Sequence, residues 1–211
     1  MKTARLSVLL LAAGIGCFAQ QWEFGGLGGG SFVPGATVSS TLGSATAGFQ
    51  TGAVGGAFLG QNLYPHLSGE VRYEFLQSNL RLSSGGTEAT FSGMSHIIHY
   101  DVLYHTNRKG SRTQYFAAAG GGMRVYDGTG QEAAYQPLSQ YAYFTKTRAL
   151  KPMFDFGGGI KYALTPRMIL RTEFRDFVTP FPKTVITPAP GAKVSSLLHN
   201  FVPMVGISYE Q

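Results

Sequence analysis

Two carboxylates in the middle of the chain have the right chemistry for acid–base catalysis. Glu70 and Glu74 lie four residues apart, and glutamates commonly serve as general acid and general base. Both fall in the segment 67–75, where apolar and charged residues alternate strictly. Because they share one strand face with Arg72, the spacing favours ion pairing over catalysis. We predict no catalytic residue here.

Histidines and glycines suggest two further kinds of site, and the spacing argues against both. His96, His99 and His105 lie close in sequence, but a strand puts the first two on opposite faces and the third beside a turn, whereas a metal needs converging ligands. We therefore expect rim or lumen histidines. Gly26–Ser31 ends in serine where the phosphate-binding pattern needs glycine, and it lies in a strand with no helix after it. We predict no metal, nucleotide or other cofactor.

The N-terminal segment has the layout of a secretory signal peptide. Lys2 and Arg5 precede an apolar run, and the small-x-small sequence Cys17-Phe18-Ala19 follows. We predict a signal peptide over 1–19 and a single domain over 20–211 that has no cysteine; a lipoprotein signal with Cys17 as acceptor is the alternative. The formal net charge is +6, but no long basic run indicates nucleic-acid binding.

The segment 152–178 best shows the architecture that positions these residues. It reads as two strands of strict period-two alternation, one face apolar and one charged, joined by a short turn at Thr165-Pro166. In a soluble sheet the apolar face would cover a core and the charged face would meet water. In an outer-membrane barrel the faces are reversed, with lipid outside and a polar lumen inside.

Strand length and loop length favour the membrane barrel. We predict eight strands, over 22–33, 46–59, 67–75, 89–104, 113–126, 154–164, 168–178 and 197–210. Most exceed the usual length of globular strands and suit a membrane barrel. The connections 34–45, 77–88, 127–149 and 179–196 are long, and 60–66, 105–112 and 165–166 are short, as expected if the short turns and both termini face the periplasm. The predicted fold is an all-β, eight-stranded antiparallel up-and-down transmembrane β-barrel.

Alternation assigns the charged side chains to the lumen. The predicted lumen charge network consists of Glu23, Glu70, Arg72, Glu74, Asp101, Arg124, Asp155, Lys161, Arg171, Glu173 and Arg175. Acids and bases nearly balance, and buried charges must be paired. An eight-stranded barrel is just wide enough for side chains to fill. We therefore expect a salt-bridged plug, since an open selective pore would show one sign in excess.

Aromatic residues near strand ends are predicted to form girdles at the two membrane interfaces. These are Trp22, Phe24, Tyr73, Phe75, Tyr100, Tyr104, Tyr115, Phe154, Tyr162, Phe174 and Tyr209.

The signal peptide, the alternating strands, the opening WEFGGLGGGSF and the ending HNFVPMVGISY together resemble the small OmpA-type and OmpX-type outer-membrane β-barrels. The resemblance implies an outer-membrane location, contact with its lipid and recognition of the last strand by the barrel-insertion machinery, with Tyr209 in place of the usual terminal phenylalanine. It implies a non-enzymatic scaffold, expected to be a monomer, whose loops Asp127–Ala149 and Thr179–Ser196 contact an external partner. A narrow solute channel and a lipid-modifying barrel enzyme are the alternatives.

Overall fold

The computed structural model describes residues 21–107, 111–194 and 197–211. The predicted signal peptide and the centre of the turn at 105–112 lie outside these ranges. In the described residues the strands are β1 (Trp22–Ser31), β2 (Ala36–Ser40), β3 (Gly43–Phe49), β4 (Gly52–Tyr64), β5 (Leu67–Gln77), β6 (Leu80–Ser84), β7 (Thr87–Phe91), β8 (Gly93–His105), β9 (Thr113–Gly128), β10 (Ala142–Phe144), β11 (Arg148–Ala163), β12 (Met168–Pro180), β13 (Ile186–Pro188), β14 (Lys193–Val194) and β15 (Leu197–Glu210). No helix in the described ranges is long and apolar enough to cross a membrane.

Eight of these strands close into a barrel. The order around it is β1, β15, β12, β11, β9, β8, β5, β4, and every neighbouring pair is antiparallel. Following paired residues around the wall from Trp22 leads back to β1 at Phe32, ten residues further along. A stagger of this kind tilts the strands against the barrel axis. The predicted eight-stranded antiparallel up-and-down barrel is confirmed.

The long and short connections lie at opposite ends of the barrel, as predicted, but several strand bounds were wrong. The predicted strand 46–59 is divided between β3 and β4, and the predicted strand 89–104 between β7 and β8. In both places the chain leaves one sheet and enters another while apolar alternation continues, so periodicity alone could not show the break. The turn expected at 60–66 shortens because β4 extends to Tyr64.

The four long connections were predicted to be irregular loops, and this was wrong. They fold together into a β-structured cap over one end of the barrel. The strands β14, β2, β3, β6 and β7 form a five-stranded sheet in that order, and β10 pairs with β13. The β6–β7 hairpin turns through Gly85 and Gly86, with φ of 56° and 81°. Positive φ at both central residues is the requirement of the two-residue turn that matches strand twist, and glycine meets it without strain.

A hydrophobic core inside the cap holds these segments together. It contains Ala36, Val38, Ala45, Ala47, Phe49, Leu80, Leu82, Ala89, Phe91, Tyr126, Leu138, Tyr141, Ala142, Phe144, Ala149, Phe181, Val185, Ile186 and Leu198. These residues come from all four long connections and from the cap ends of the barrel strands. Burial of this apolar surface is the main force that orders the cap.

The barrel wall reverses the burial pattern of a soluble sheet. Along β5, Val71, Tyr73 and Phe75 face outward and are exposed, while Arg72 and Glu74 face inward and are buried. Side chains on successive strand positions point to opposite faces, so this single alternation produces an apolar exterior and a charged interior.

Candidate functional site: the charged lumen

All of the predicted lumen charges lie inside the barrel. Each of the eleven side chains is at most 5% exposed, and they come from β1, β5, β8, β9, β11 and β12. Ten of them form an ion-pair network of two clusters, which are linked because Arg72 Nη2 lies 3.1 Å from Glu74 Oε1 and Arg175 Nη2 lies 3.6 Å from Glu173 Oε2. Arg124 lies apart from both clusters.

The first group, which we call the paired cluster, lies toward the end with the short turns and matches three carboxylates with three cations. Its members are Glu23, Glu70, Glu173, Lys161, Arg171 and Arg72. Lys161 Nζ lies 2.6 Å from Glu23 Oε2. Arg171 donates two parallel hydrogen bonds to Glu70, of 2.6 and 2.9 Å, a bidentate arrangement that is strong and orientation-specific. Arg72 donates to Glu173.

The second group, the acidic cluster, lies nearer the cap and contains Glu74, Asp101, Asp155, His99 and Arg175. His99 Nδ1 lies 2.8 Å from Asp101 Oδ1 and 3.3 Å from Asp155 Oδ1. Arg175 reaches the other oxygen of each aspartate, with Nη1 2.9 Å from Asp155 Oδ2 and Nη2 3.1 Å from Asp101 Oδ2. Glu74 Oε2 lies 3.8 Å from His99 Nε2. Carboxylates therefore surround the imidazole on both sides.

Two inward-facing glycines on β9 make room for the acidic cluster. A Cβ at Gly122 would lie 2.5 Å from His99 Cβ, and one at Gly120 would overlap Asp101 Oδ1 and the backbone of Tyr100. Any larger residue at either position would displace His99 or Asp101. The triple-glycine segment 120–122 therefore does more than help the wall bend, because it leaves space for bulky charged neighbours.

An apolar layer lies across the lumen between the acidic cluster and the cap. On each of four strands the inward residue one step nearer the cap than the charge is hydrophobic: Leu76 after Glu74, Ile97 before His99, Met153 before Asp155 and Phe177 after Arg175. All four of these apolar side chains are at most 1% exposed and belong to one cluster.

Arg124 was predicted to belong to the lumen charge network, but it lies outside both clusters. Its guanidinium donates to Ser95 Oγ at 2.9 Å and to Ser78 Oγ at 3.3 Å, and it stacks on the Tyr126 ring at 4.4 Å. Ser95 lies on the cap side of Ile97 along β8, so Arg124 lies beyond the apolar layer. Alternation correctly predicted that Arg124 faces the lumen, but it could not predict how far along the barrel axis the side chain lies.

The three histidines do not converge. His96 faces outward, with Nδ1 2.8 Å from Tyr73 Oη, and His105 Nε2 lies 2.9 Å from Ser68 Oγ at the short-turn end. Glu70 and Glu74 also separate, into the paired cluster and the acidic cluster. What sequence reasoning missed is that His99 meets two aspartates, one of them on another strand. Its spacing from Asp101, two residues on, was the available signal.

The predicted aromatic residues all lie on the outer wall, but not all near strand ends. One group surrounds the short-turn end: Trp22, Phe24, Tyr104, Tyr115, Tyr162 and Tyr209. Phe75 and Phe154 lie in the half nearer the cap, where Phe154 pairs with Val178. Tyr73, Tyr100 and Phe174 lie in the middle of their strands, so the expectation that they lie near strand ends was wrong. Alternation fixes the side of the wall on which a residue lies but not its position along the barrel axis.

Comparisons with known proteins identify the fold and leave the family open. No protein-family profile matches the sequence, and no curated protein matches it. Among solved structures, the crystal structure of Neisserial surface protein A matches with a TM-score of 0.54 and 14% identity, over 90% of this chain and 96% of that one. The N-terminal β-barrel domain of Pseudomonas aeruginosa OprF matches with a TM-score of 0.50 and 12% identity, over 90% and 97%.

A third structure, of outer membrane protein AlkL determined by solid-state NMR in DMPC lipid bilayers, has a TM-score of 0.50 and 12% identity over 90% of each chain. The chain shares the fold of small eight-stranded outer-membrane barrels. At these identities the match establishes architecture alone, and it confirms the resemblance predicted from the sequence at that level.

Proposed function

We propose that the protein spans the outer membrane as a non-enzymatic, monomeric barrel with a sealed lumen and presents its cap to a partner outside the cell. The observation that carries this proposal is the cap itself. Four connections from different parts of the chain share one hydrophobic core, three of them share one five-stranded sheet, and the connection 127–149 joins through the pairing of β10 with β13. A folded surface of this kind is suited to binding, because its side chains are held in place before a partner arrives.

The outer wall supports insertion into lipid. Phe154, Ile98 and Val205 are 70%, 58% and 53% exposed, whereas Arg171 and Arg175 are fully buried. Water would penalise this apolar exterior, and hydrocarbon would not. The closed barrel also pairs all its strands, so no sheet edge would face lipid. The outer-membrane folds with which it shares its architecture support the same location, and the last strand, ending near Tyr209, would engage the insertion machinery.

The interior supports a sealed lumen over a channel. Ion pairs fill the half with the short turns, and Leu76, Ile97, Met153 and Phe177 close the half nearer the cap. An ion crossing this layer would lose its hydration with no polar group to replace it. The narrow-channel alternative would require the layer to open.

The most exposed part of the cap offers contact residues. Leu42, in the turn between β2 and β3, is 71% exposed, and Tyr135, in the connection between β9 and β10, is 77% exposed. Exposed aromatic and aliphatic side chains on an ordered surface are typical anchors of protein interfaces. Tyr135 lies in the predicted contact loop Asp127–Ala149.

Cysteine labelling of intact cells tests the topology. The predicted mature chain has no cysteine, so Thr87→Cys in the cap and Pro166→Cys in a short turn each introduce a single thiol. A membrane-impermeant maleimide should label the first variant in whole cells and the second only after lysis. Labelling of Pro166→Cys alone in whole cells would reverse the orientation.

Photo-crosslinking tests the binding role. A photoreactive amino acid at Tyr135 or Leu42 should yield a discrete adduct with a macromolecule on living cells or in their surroundings, while the same residue at Val205 on the wall should yield lipid adducts. A cap that produces no macromolecular adduct under any growth condition would argue against the proposed partner.

One pair on the outer wall supports a second candidate function, lipid modification. Asp176 follows inward-facing Arg175 and so points outward, yet it is only 5% exposed, because His199 covers it with Nδ1 2.7 Å from Asp176 Oδ2. A histidine oriented by a carboxylate is the usual form of a general base. Mass analysis of lipid A from cells with wild-type protein and with His199→Ala tests this activity, and identical lipid profiles would exclude it.

A further inference from the structure

We propose that the acidic cluster is a binding site for one divalent first-row transition-metal ion, held by His99 Nδ1, Asp101 Oδ1 and Asp155 Oδ1. These three atoms lie within 4.8 Å of one another. Two of their separations, from His99 Nδ1 to each aspartate oxygen, are 2.8 and 3.3 Å. The 2.8 Å contact is a hydrogen bond that would open slightly around an ion, because ligand atoms that share one metal at bond lengths near 2.1 Å lie about 3 to 4 Å apart.

Charge balance independently indicates a missing cation. In the lumen below the apolar layer, the described residues include six carboxylates and four permanent cations. The carboxylates are those of Glu23, Glu70, Glu74, Asp101, Asp155 and Glu173, and the cations are Arg72, Lys161, Arg171 and Arg175. Arg72 is shared between Glu173 and Glu74, so the charges are counted over both clusters together, where the six carboxylates exceed the four cations by two. Two negative charges remain, and a proton on His99 would neutralise only one, whereas one divalent ion neutralises both.

One buried oxygen with no hydrogen bond indicates where the ion would bind. Asp155 is 3% exposed, and its Oδ1 accepts no hydrogen bond from any described residue. That atom is also one of the three proposed ligands and points at His99. A buried carboxylate oxygen without a partner is costly, and a metal bond would remove that cost.

The surrounding groups orient the three ligands as in known metal sites. Arg175 donates to Asp155 Oδ2 and lies 3.1 Å from Asp101 Oδ2, so the Oδ1 atoms of both aspartates face His99. With Nδ1 on the metal, neutral His99 would carry its proton on Nε2, on the side of Glu74 Oε2. A carboxylate behind a ligating histidine is the common way of fixing its tautomer. Gly120 and Gly122 keep the space around the site clear.

The donor set narrows the kind of ion. One imidazole nitrogen with two carboxylate oxygens suits zinc, manganese or iron in the divalent state, while magnesium and calcium prefer oxygen alone. Because the apolar layer and the paired cluster enclose the site, the ion would enter as the barrel folds and leave slowly afterwards.

Metal analysis of refolded protein tests the proposal. The full mature barrel is refolded in detergent with Zn²⁺ or with Mn²⁺, freed of loose metal, checked for folding by heat-dependent gel mobility and measured by mass spectrometry. Wild type should retain about one ion per barrel. His99→Gln and Asp155→Asn should each lower affinity by more than about tenfold. Glu23→Gln, a buried carboxylate of the paired cluster, should retain the ion.

Nitrogen NMR of His99 provides a second readout that does not depend on the variants folding. A metal-bound ring should show one protonated nitrogen and a shift that changes between the zinc-loaded and chelated protein. The proposal is overturned by a folded wild type that holds neither ion, by equal retention in wild type and both ligand variants, or by a His99 ring protonated on both nitrogens in zinc-loaded protein.

Discussion

Replacing Arg171 by methionine should strongly destabilise the barrel. Arg171 is fully buried; it donates two hydrogen bonds to Glu70 and one of 3.0 Å to Glu173. Its guanidinium lies 4.6 Å from the ring centre of Phe58 and 4.7 Å from that of Phe116. Methionine can keep much of this aromatic packing but leaves Glu70 with two longer contacts, to Lys161 at 3.6 Å and to Arg72 at 3.9 Å. Removing one partner of a buried ion pair costs about 3–5 kcal/mol.

A double-mutant cycle separates the lost pair from lost packing. Glu70→Gln should restore part of the lost free energy of unfolding in the Arg171→Met background, because it removes the buried carboxylate that the first substitution leaves without its main partner. The expected coupling is about 1–3 kcal/mol. The assay is equilibrium urea unfolding in lipid vesicles, followed through the fluorescence of Trp22, the single tryptophan of the chain.

An exposed ion pair provides the matched control. Arg81 Nη2 lies 2.8 Å from Glu88 Oε2 on the cap, where the side chains are 49% and 40% exposed. Arg81→Met should cost less than about 1 kcal/mol, since exposed pairs contribute little. An Arg171→Met protein as stable as Arg81→Met, or a coupling near zero, would show that the lumen is hydrated and that the buried-network reasoning is wrong.

Three further predictions test the wall, the apolar layer and the cap. Val71→Arg, in the middle of β5 on the outer face, should lower the free energy of unfolding in vesicles by about 2–4 kcal/mol, and an unchanged value would mean that this face does not contact lipid. Wild-type protein should show little steady conductance in planar bilayers, and Phe177→Ser should increase it; large stable channels from wild type would support a channel. Gly86→Val should cost about 1–2 kcal/mol, because its φ of 81° disfavours a side chain, and should speed proteolysis of the cap, whereas Thr87→Val should not.

The barrel could be predicted because its strands carry the signal locally. In residues 70–75 of β5 and 170–175 of β12 every second residue is charged, and in β11 Asp155 and Lys161 fall on one face. This pattern needs no knowledge of neighbouring strands. The cap was missed for two different reasons. The segment from Leu80 to Phe91 has a hairpin signal, with alternating apolar residues around Gly85-Gly86, that was interpreted as a loop. The strands β2 and β3 are built of small and hydroxyl residues, and their pairing depends on a core contributed by distant segments.

The lumen shows the same limit at the level of the site. Alternation predicts which charged residues face inward. It cannot predict which of them form pairs, because pairing depends on the register of every strand pair around the barrel. Arg72 and Glu173 are 101 residues apart in sequence, and they meet because the stagger of eight strands brings them to one height. The same stagger places Arg124 beyond the apolar layer and assembles His99, Asp101 and Asp155. A one-residue slip of register would move every side chain of the strand to the other face, whereas a two-residue slip would keep the faces but separate the ion pairs. The charge pairing therefore helps to specify the closed form.

The paired cluster and the acidic cluster depend on the strand register in different ways. In the paired cluster each carboxylate has its own cation, so a correct register leaves no charge without a partner. The acidic cluster would meet this condition with the proposed ion bound, and Arg175 already lies against both aspartates, while Gly120 and Gly122 leave room for them and for His99. The cap end of the lumen would therefore be the last part to become stable as the barrel closes. Its stability would then depend on the ion and the cap core together, while the half with the short turns would be stable on its own pairs.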